Sequence, residues 1–168
     1  ESLKAFLKAE KLEKNIMFHI SDEPRENHLE QYKKARDIVK KVFPKAAIGD
    51  AISHVEFYKM GYCDTPIAVT ATINKFIGVC DNLWAYYTGE SSLHGRSSRV
   101  LTLPRERNRM LGVQLYYYDI KGFLHWAYNN YYGEQSKYFF NPALNPSGGF
   151  ALAGTSYVVY PDFNGKCM

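Results

Sequence analysis

Apolar segments of two kinds alternate along this sequence, and that alternation is the strongest constraint on the fold. Short apolar runs typical of buried strands occupy residues 16–21, 46–52, 67–73, 83–89 and 122–129. Helical segments are predicted between them, at residues 2–14, 24–43, 74–81 and 104–118. Strands that alternate with helices are typical of a parallel sheet covered by helices. The sequence therefore predicts an α/β fold.

Prolines mark both ends of the second predicted helix, at residues 24–43. One apolar stripe runs along it at helical spacing, and Pro44 marks its end. Pro24 suits the first position of a helix, where its missing N–H costs nothing. In that arrangement Glu23 is the N-cap residue, and its carboxylate interacts favourably with the positive end of the helix dipole.

Two architectures are compatible with this order of elements, an open doubly wound sheet and a (β/α)₈ barrel. A barrel needs roughly 250 residues, so a chain of 168 residues supplies only part of one. No GxGxxG follows the first predicted strand, which argues against dinucleotide binding. The C-terminal part is rich in Gly, Pro and Asn and is predicted to form long loops. No linker or repeat is evident, so residues 1–168 are interpreted as one domain.

Charge and hydropathy exclude some classes of function. The formal net charge is +4, and the lysines lie mainly on the predicted helix faces, where solvation explains them. We therefore expect no nucleic-acid partner. No apolar run approaches the ~20 residues that span a bilayer, so we expect no membrane insertion.

Cysteine spacing and aromatic content bear on the chemistry. Cys63, Cys80 and Cys167 are widely spaced and match neither a metal motif nor a disulfide framework. Nothing in the sequence resembles a zinc or calcium site, and we expect no metal and no cofactor. Fourteen tyrosines and two tryptophans suit a packed core. They also suit a sugar-binding cleft, where flat rings meet the C–H faces of a pyranose.

The segment "FHISDEP" at residues 18–24 places Asp22 and Glu23 side by side after a predicted strand. Such a motif is more often the start of a helix than a catalytic pair. The two interpretations are compatible, because a site in either architecture lies at the carboxyl ends of the strands. Polar and aromatic groups also follow the other predicted strands. We expect Asp22 and Glu23 at the same rim as Tyr86 and Asn129.

Four phrases in this order resemble glycoside hydrolase family 123, the β-N-acetylgalactosaminidase family. They are "FHISDEPRENHLEQYKKA", "LWAYYTGE", "RNRMLGVQLYYYDIKGFLHWAYNNYY" and "SYVVYPD". The resemblance implies a β-sandwich followed by a (β/α)₈ catalytic barrel, of which this chain is the later part. The chain also begins inside a predicted helix, which suggests a piece of a longer protein. Because open sheet edges invite pairing, we expect contacts with the rest of its barrel or with another chain.

The resemblance also implies a mechanism in which the 2-acetamido group of the substrate is the nucleophile. By resemblance, Asp22 orients this amide and holds the charge that develops on its nitrogen, and Glu23 is the general acid and then the base. The implied substrate is a glycoside of terminal β-linked N-acetylgalactosamine. Two alternatives remain, a β-N-acetylhexosaminidase of another substrate-assisted kind and a non-catalytic carbohydrate-binding protein.

Three further residues are candidates for substrate binding. Tyr86 is either a donor to the acetamido carbonyl or a tyrosine of the barrel core. Trp126 is either an aromatic wall under the sugar or a core residue. Asn129 either binds a sugar hydroxyl or caps its strand.

Other polar residues receive structural interpretations. His19 is expected to be a hydrogen-bonded interior group, and His54 has no identifiable partner. Asp50 is a candidate supporting residue behind the site. Arg107 and Arg109, on a predicted helix, are expected to serve structure or solubility.

Overall fold

The computed structural model describes residues 2–87, 100–133, 137–148 and 152–160. The chain divides into two compact units, Glu1–Ala85 and Tyr86–Met168. None of the helices in these described segments is long and apolar enough to cross a membrane.

The first unit alternates strands and helices along the chain. Its strands are β1 (Met17–Phe18), β2 (Ala47–Ile52) and β3 (Thr65–Val69), and β4 (Trp84–Tyr87) begins at its end. Its helices are α1 (Leu3–Ala9), α2 (Leu29–Val42) and α3 (Glu56–Lys59), with 3₁₀ turns η1 (Glu26–His28) and η2 (Ile73–Lys75). Strands β1, β2 and β3 are parallel, with Phe18 opposite Ile48 and Ile52 opposite Ala68. The predicted parallel pairing is confirmed for these three strands.

The core of this unit follows from the apolar patterns. Ile48 and Ile52 of β2 are fully buried. On α2, Tyr32 is the buried residue, and its ring packs edge-on against Phe57 of α3 with the centroids 4.9 Å apart. Gly49 of β2 leaves room for the Met17 side chain, since a Cβ there would lie 2.3 Å from the Met17 sulfur. Tyr32 is thus the residue by which α2 joins this core, whereas Ile38 and Val42 of the same apolar stripe are 68 % and 43 % exposed.

Two predicted boundaries near residue 23 are wrong. Strand β1 ends at Phe18 rather than at residue 21, because the amides of Ile20 and Ser21 donate to the side chain of Asp50. The helix does not start at Pro24: a 3₁₀ turn begins at Glu26, with Arg25 as its N-cap residue. Glu23 is therefore no N-cap.

The second unit contains α4 (Arg105–Tyr117), β5 (Gly122–His125), β6 (Tyr132–Gly133) and β7 (Tyr138–Phe139). Strands β6 and β7 form an antiparallel pair. The ring of Tyr87 packs against Phe123 of β5, with the centroids 5.3 Å apart. Strand β5 ends at His125 rather than at residue 129. Beyond it, the amide of Ala127 donates to the carbonyl oxygen of Thr155 and the amide of Asn130 to that of Ser156. The predicted end of β4, at residues 88 and 89, lies outside the described residues.

Strands adjacent in sequence are neighbours in the sheet of the first unit, where the order is β1-β2-β3. A doubly wound sheet reverses its strand order at a switch point. The sequential order seen here fits part of an α/β barrel instead.

Candidate active site

Polar residues follow the strands of the first unit at one edge of the sheet. Asp22 and Glu23 come after β1, His54 after β2 and Thr70 after β3. The carboxyl ends of parallel strands lie at the same edge, which is where α/β barrels carry their sites. Asp22 and Glu23 are both exposed, so their carboxylates are accessible to a ligand.

The backbone at Glu23 is held in an uncommon conformation. Its φ is +42°, in the left-handed region that residues with a Cβ rarely adopt. Such a conformation costs about 1 kcal/mol. It is maintained by a hydrogen bond from the Glu23 amide to the carbonyl oxygen of Ala51 in β2, at 3.1 Å. The direction of the chain at the carboxylate pair is therefore set by β2.

The carboxylate of Asp50, one residue before Ala51, holds the segment that leads to this pair. Its Oδ1 accepts hydrogen bonds from the amides of Ile20 at 2.9 Å and Ser21 at 3.2 Å. The Nδ1 of His19 lies 2.5 Å from the same oxygen. The other oxygen, Oδ2, accepts a hydrogen bond from the hydroxyl of Tyr32. Asp50 is 0 % exposed, and a carboxylate in such a place must be hydrogen-bonded to be tolerated.

The groups on the α2 side of Asp50 are neutral. Burial raises the pKa of Tyr32 well above its ordinary value, so its hydroxyl keeps the proton that it donates to Asp50. Burial also raises the pKa of the neighbouring Cys63 thiol to about 11. Asp50 thus receives neutral donors from α2 and from the backbone, and His19 is the one ionisable base that contacts it among the described residues.

Two histidines differ from expectation. His19 is hydrogen-bonded, but its side chain is 59 % exposed, so it is no interior group. His54 does have a partner: its Nδ1 lies 3.0 Å from Oε1 of Glu26 in η1. Sequence spacing gave no sign of this pair, because 28 residues separate its members.

A possible set of metal ligands surrounds His54. One ligand atom from each of Glu26, His54 and Glu56 lies within 4.8 Å of the others. One imidazole and two carboxylates suit a divalent transition metal. The hydrogen bond between His54 and Glu26 gives the same grouping a structural role without a metal.

The second unit carries the other three candidate residues. Tyr86 in β4 is buried, with 4 % of its surface exposed. Trp126 directly follows β5 and is 43 % exposed. Asn129 is exposed and forms an isolated antiparallel bridge with Tyr157. Arg107 and Arg109 lie on α4, half-buried and exposed respectively.

Comparison with known protein families identifies the family to which this chain belongs. The profile of the glycoside hydrolase 123 catalytic domain matches residues 1–168, the whole chain. The chain belongs to glycoside hydrolase family 123. No curated protein shows significant similarity to it.

For this family 123 domain, the geometry provides two accessible carboxylates on a segment tied to β2. That is a suitable arrangement for acid–base chemistry on a glycosidic bond. The family supports a hydrolase activity on glycosides.

One polar group of this family 123 domain, at the same edge of the sheet, was not predicted from the sequence. The hydroxyl of Thr70, which follows β3, is buried and has no hydrogen-bond partner among the described residues. A buried hydroxyl without a partner is unusual in a folded protein. Its position directly after a strand was the one available signal, and it was hidden because the strand was predicted to extend to residue 73.

Proposed function

We propose that this domain is the catalytic part of a retaining exo-β-N-acetylgalactosaminidase that acts by substrate-assisted catalysis. The observation that carries the proposal is the pair of exposed, adjacent carboxylates of Asp22 and Glu23 after β1. Their backbone is held by the bond from Glu23 to Ala51. Membership of family 123 supports glycoside hydrolysis.

The adjacency of the two residues favours substrate assistance over a protein nucleophile. Retaining enzymes with a carboxylate nucleophile place their two carboxyl groups about 5–5.5 Å apart on opposite sides of the bond that breaks. Such groups commonly come from different strands. Two consecutive residues do not easily flank a sugar in this way. They can both approach it from one side when the nucleophile belongs to the substrate.

In the first step, the carbonyl oxygen of the acetamido group forms a bond to the anomeric carbon. The bond from that carbon to the aglycone oxygen breaks, and this oxygen takes the proton of the Glu23 carboxyl group. Positive charge develops on the amide nitrogen, where the Asp22 carboxylate stabilises it. Asp22 also holds the amide in the orientation needed for attack. The products are the free aglycone and an oxazoline-type intermediate.

In the second step, the Glu23 carboxylate takes a proton from water. The water oxygen bonds to the anomeric carbon, and the bond between that carbon and the acetamido oxygen breaks. The two inversions together retain the β configuration. Neither step needs a metal, since the nucleophile, acid and base are all organic groups.

Aromatic and polar side chains of the second unit are assigned to sugar binding. We propose that Trp126 stacks against the pyranose ring, that Tyr86 donates to the acetamido carbonyl and that Asn129 binds a hydroxyl. Other exposed rings of the same unit support this: Tyr128, Tyr132, Tyr138 and Phe139 are each more than half exposed. The proposed partner is a carbohydrate, and the remaining strands of the barrel are proposed to come from the rest of the protein or another chain.

The test compares aryl β-glycosides of N-acetylgalactosamine, N-acetylglucosamine and galactose as substrates of the intact protein. We expect turnover of the first, with the β anomer released initially as seen by proton NMR. The galactoside should be nearly inert, because a 2-hydroxyl cannot form an oxazoline. Equal turnover of the galactoside would exclude substrate assistance. Preference for the N-acetylglucosamine substrate would indicate a hexosaminidase, and sugar binding without turnover would indicate a carbohydrate-binding protein.

A further inference from the structure

We propose that Asp50 is a positioning residue, whose buried carboxylate fixes the strand-end segment 19–23 and so sets the placement of Asp22 and Glu23. The inference rests on the proposed function for its catalytic consequence. Its structural part stands on hydrogen bonds that β2 makes with this segment.

The bonds to Asp50 come from three consecutive residues. Oδ1 receives the amides of Ile20 and Ser21 and contacts Nδ1 of His19. Bonds to a charged acceptor are roughly twice as strong as bonds between neutral groups. They replace the ladder bonds that the segment would make if β1 continued. The segment after β1 therefore leaves the sheet, but its backbone is still held by hydrogen bonds.

The next residue of β2 fixes the far end of the segment. The carbonyl oxygen of Ala51 accepts the amide of Glu23 at 3.1 Å. Asp22 therefore lies between amides that are held by two successive residues of one strand. Position and orientation of the carboxylate pair follow from this double attachment.

The Asp50 carboxylate is itself fixed. It is 0 % exposed, so water does not compete for its oxygens. The hydroxyl of Tyr32 in α2 binds Oδ2, which prevents the carboxylate from rotating away from the segment. A buried, oriented acceptor is the kind of support that a precise catalytic geometry requires.

Asp64 provides a matched control in the same unit. Its Oδ2 also accepts a backbone amide of β2, that of Ile48, at 2.9 Å, and binds Nζ of Lys40 at 2.9 Å. Ile48 lies near the start of β2 and Asp64 just before β3, so this carboxylate acts at the amino-terminal end of the strands. Asp64→Asn makes the same chemical change as Asp50→Asn, away from the carboxylate pair.

The experiment measures kcat and KM on an aryl β-N-acetylgalactosaminide, together with amide hydrogen exchange, for Asp50→Asn, Asp50→Ala and Asp64→Asn in the intact protein. A misplacement of about 1 Å costs about 10²-fold in rate. We expect kcat of Asp50→Asn to fall by about that factor, with KM changed less than about threefold. Exchange should accelerate at Ile20, Ser21 and Glu23 but not in the ladder between β2 and β3. Asp64→Asn should keep its kcat.

Several outcomes would overturn the inference. They are unchanged exchange at Glu23 in a folded Asp50→Asn protein, an unchanged kcat in that variant, or an equal loss of kcat in Asp64→Asn. If Asp50→Ala fails to fold, Asp50→Asn carries the test. If the wild type turns over no 2-acetamido glycoside, the proposed function fails, whereas exchange at these amides still decides whether Asp50 holds the segment.

Discussion

The amide of Glu23 donates a hydrogen bond to the carbonyl oxygen of Ala51 at 3.1 Å, across 28 residues of sequence. This bond joins the proposed acid–base residue to the carboxyl-terminal end of a buried strand. It also holds Glu23 at a φ of +42°. The conformation of the candidate site therefore depends on β2 as much as on its own sequence.

The roles of the two carboxylates predict different responses to the leaving group. Asp22→Asn removes charge stabilisation from oxazoline formation, so it should slow aryl and natural glycosides alike. Glu23→Gln removes proton donation, which is worth about 10²–10⁴-fold on a natural oligosaccharide. An activated aryl leaving group hardly needs that proton and should recover much of its first-step rate. Burst and steady-state kinetics of both variants check this, and full activity of both would refute the assigned roles.

The left-handed backbone of Glu23 predicts a stabilising but inactivating substitution. Glu23→Gly relieves the strain of a Cβ at positive φ, and should raise the free energy of unfolding by about 0.5–1 kcal/mol. It also removes the proposed acid, so turnover of a natural glycoside should fall by about 10²–10⁴-fold. Lys11→Gly is the matched control, because Lys11 also has a positive φ, of +58°, in the turn after α1. It should stabilise similarly and leave turnover intact, as measured by urea unfolding and initial rates.

The exposed ring of Trp126 predicts an effect on binding. If the ring stacks on the sugar, Trp126→Ala should raise KM about tenfold, as expected for the loss of roughly 1.4 kcal/mol. Tyr116→Ala is the control, since Tyr116 on α4 is 90 % exposed and is assigned no contact with the substrate. An unchanged KM in Trp126→Ala, or an equal increase in Tyr116→Ala, would contradict the proposed stacking.

The buried thiol of Cys63 predicts a loss of stability at high pH. Its pKa is raised from 9.0 to about 11, so the folded state retains the thiol proton longer than the unfolded state. The free energy of unfolding keeps this contribution in full below about pH 9. It falls by up to about 3 kcal/mol as the pH rises through about 11. Tyr32 and Cys80 also have raised pKa values and contribute at high pH, which makes a difference measurement necessary.

The measurement compares wild type with Cys63→Ala by urea unfolding at about pH 8 and about pH 10.5. The wild type should lose more stability than the variant between these two conditions. An equal loss in both proteins would show that Cys63 does not titrate in this range.

The sequence by itself determined the α/β class and the order of elements. Apolar periodicity is local, so β2, α2 and the existence of a strand before Asp22 could be predicted from their own residues. The family phrases likewise lie in the sequence, and the match to family 123 over residues 1–168 confirms that resemblance. The position of Asp22 and Glu23 after a strand was also visible without a structure.

Tertiary structure decided the conformation of the segment that carries the carboxylate pair. The local pattern predicted a strand to residue 21 and a helix from Pro24, with Glu23 as its cap. Instead Asp50, which is 29 residues from Ser21, accepts its amide, and β1 ends early. The partners of His54 and the exposure of His19 were hidden for the same reason. Periodicity indicates which face of a segment is buried. The hydrogen-bond donors that a buried carboxylate needs, however, come from any segment that the fold places beside it.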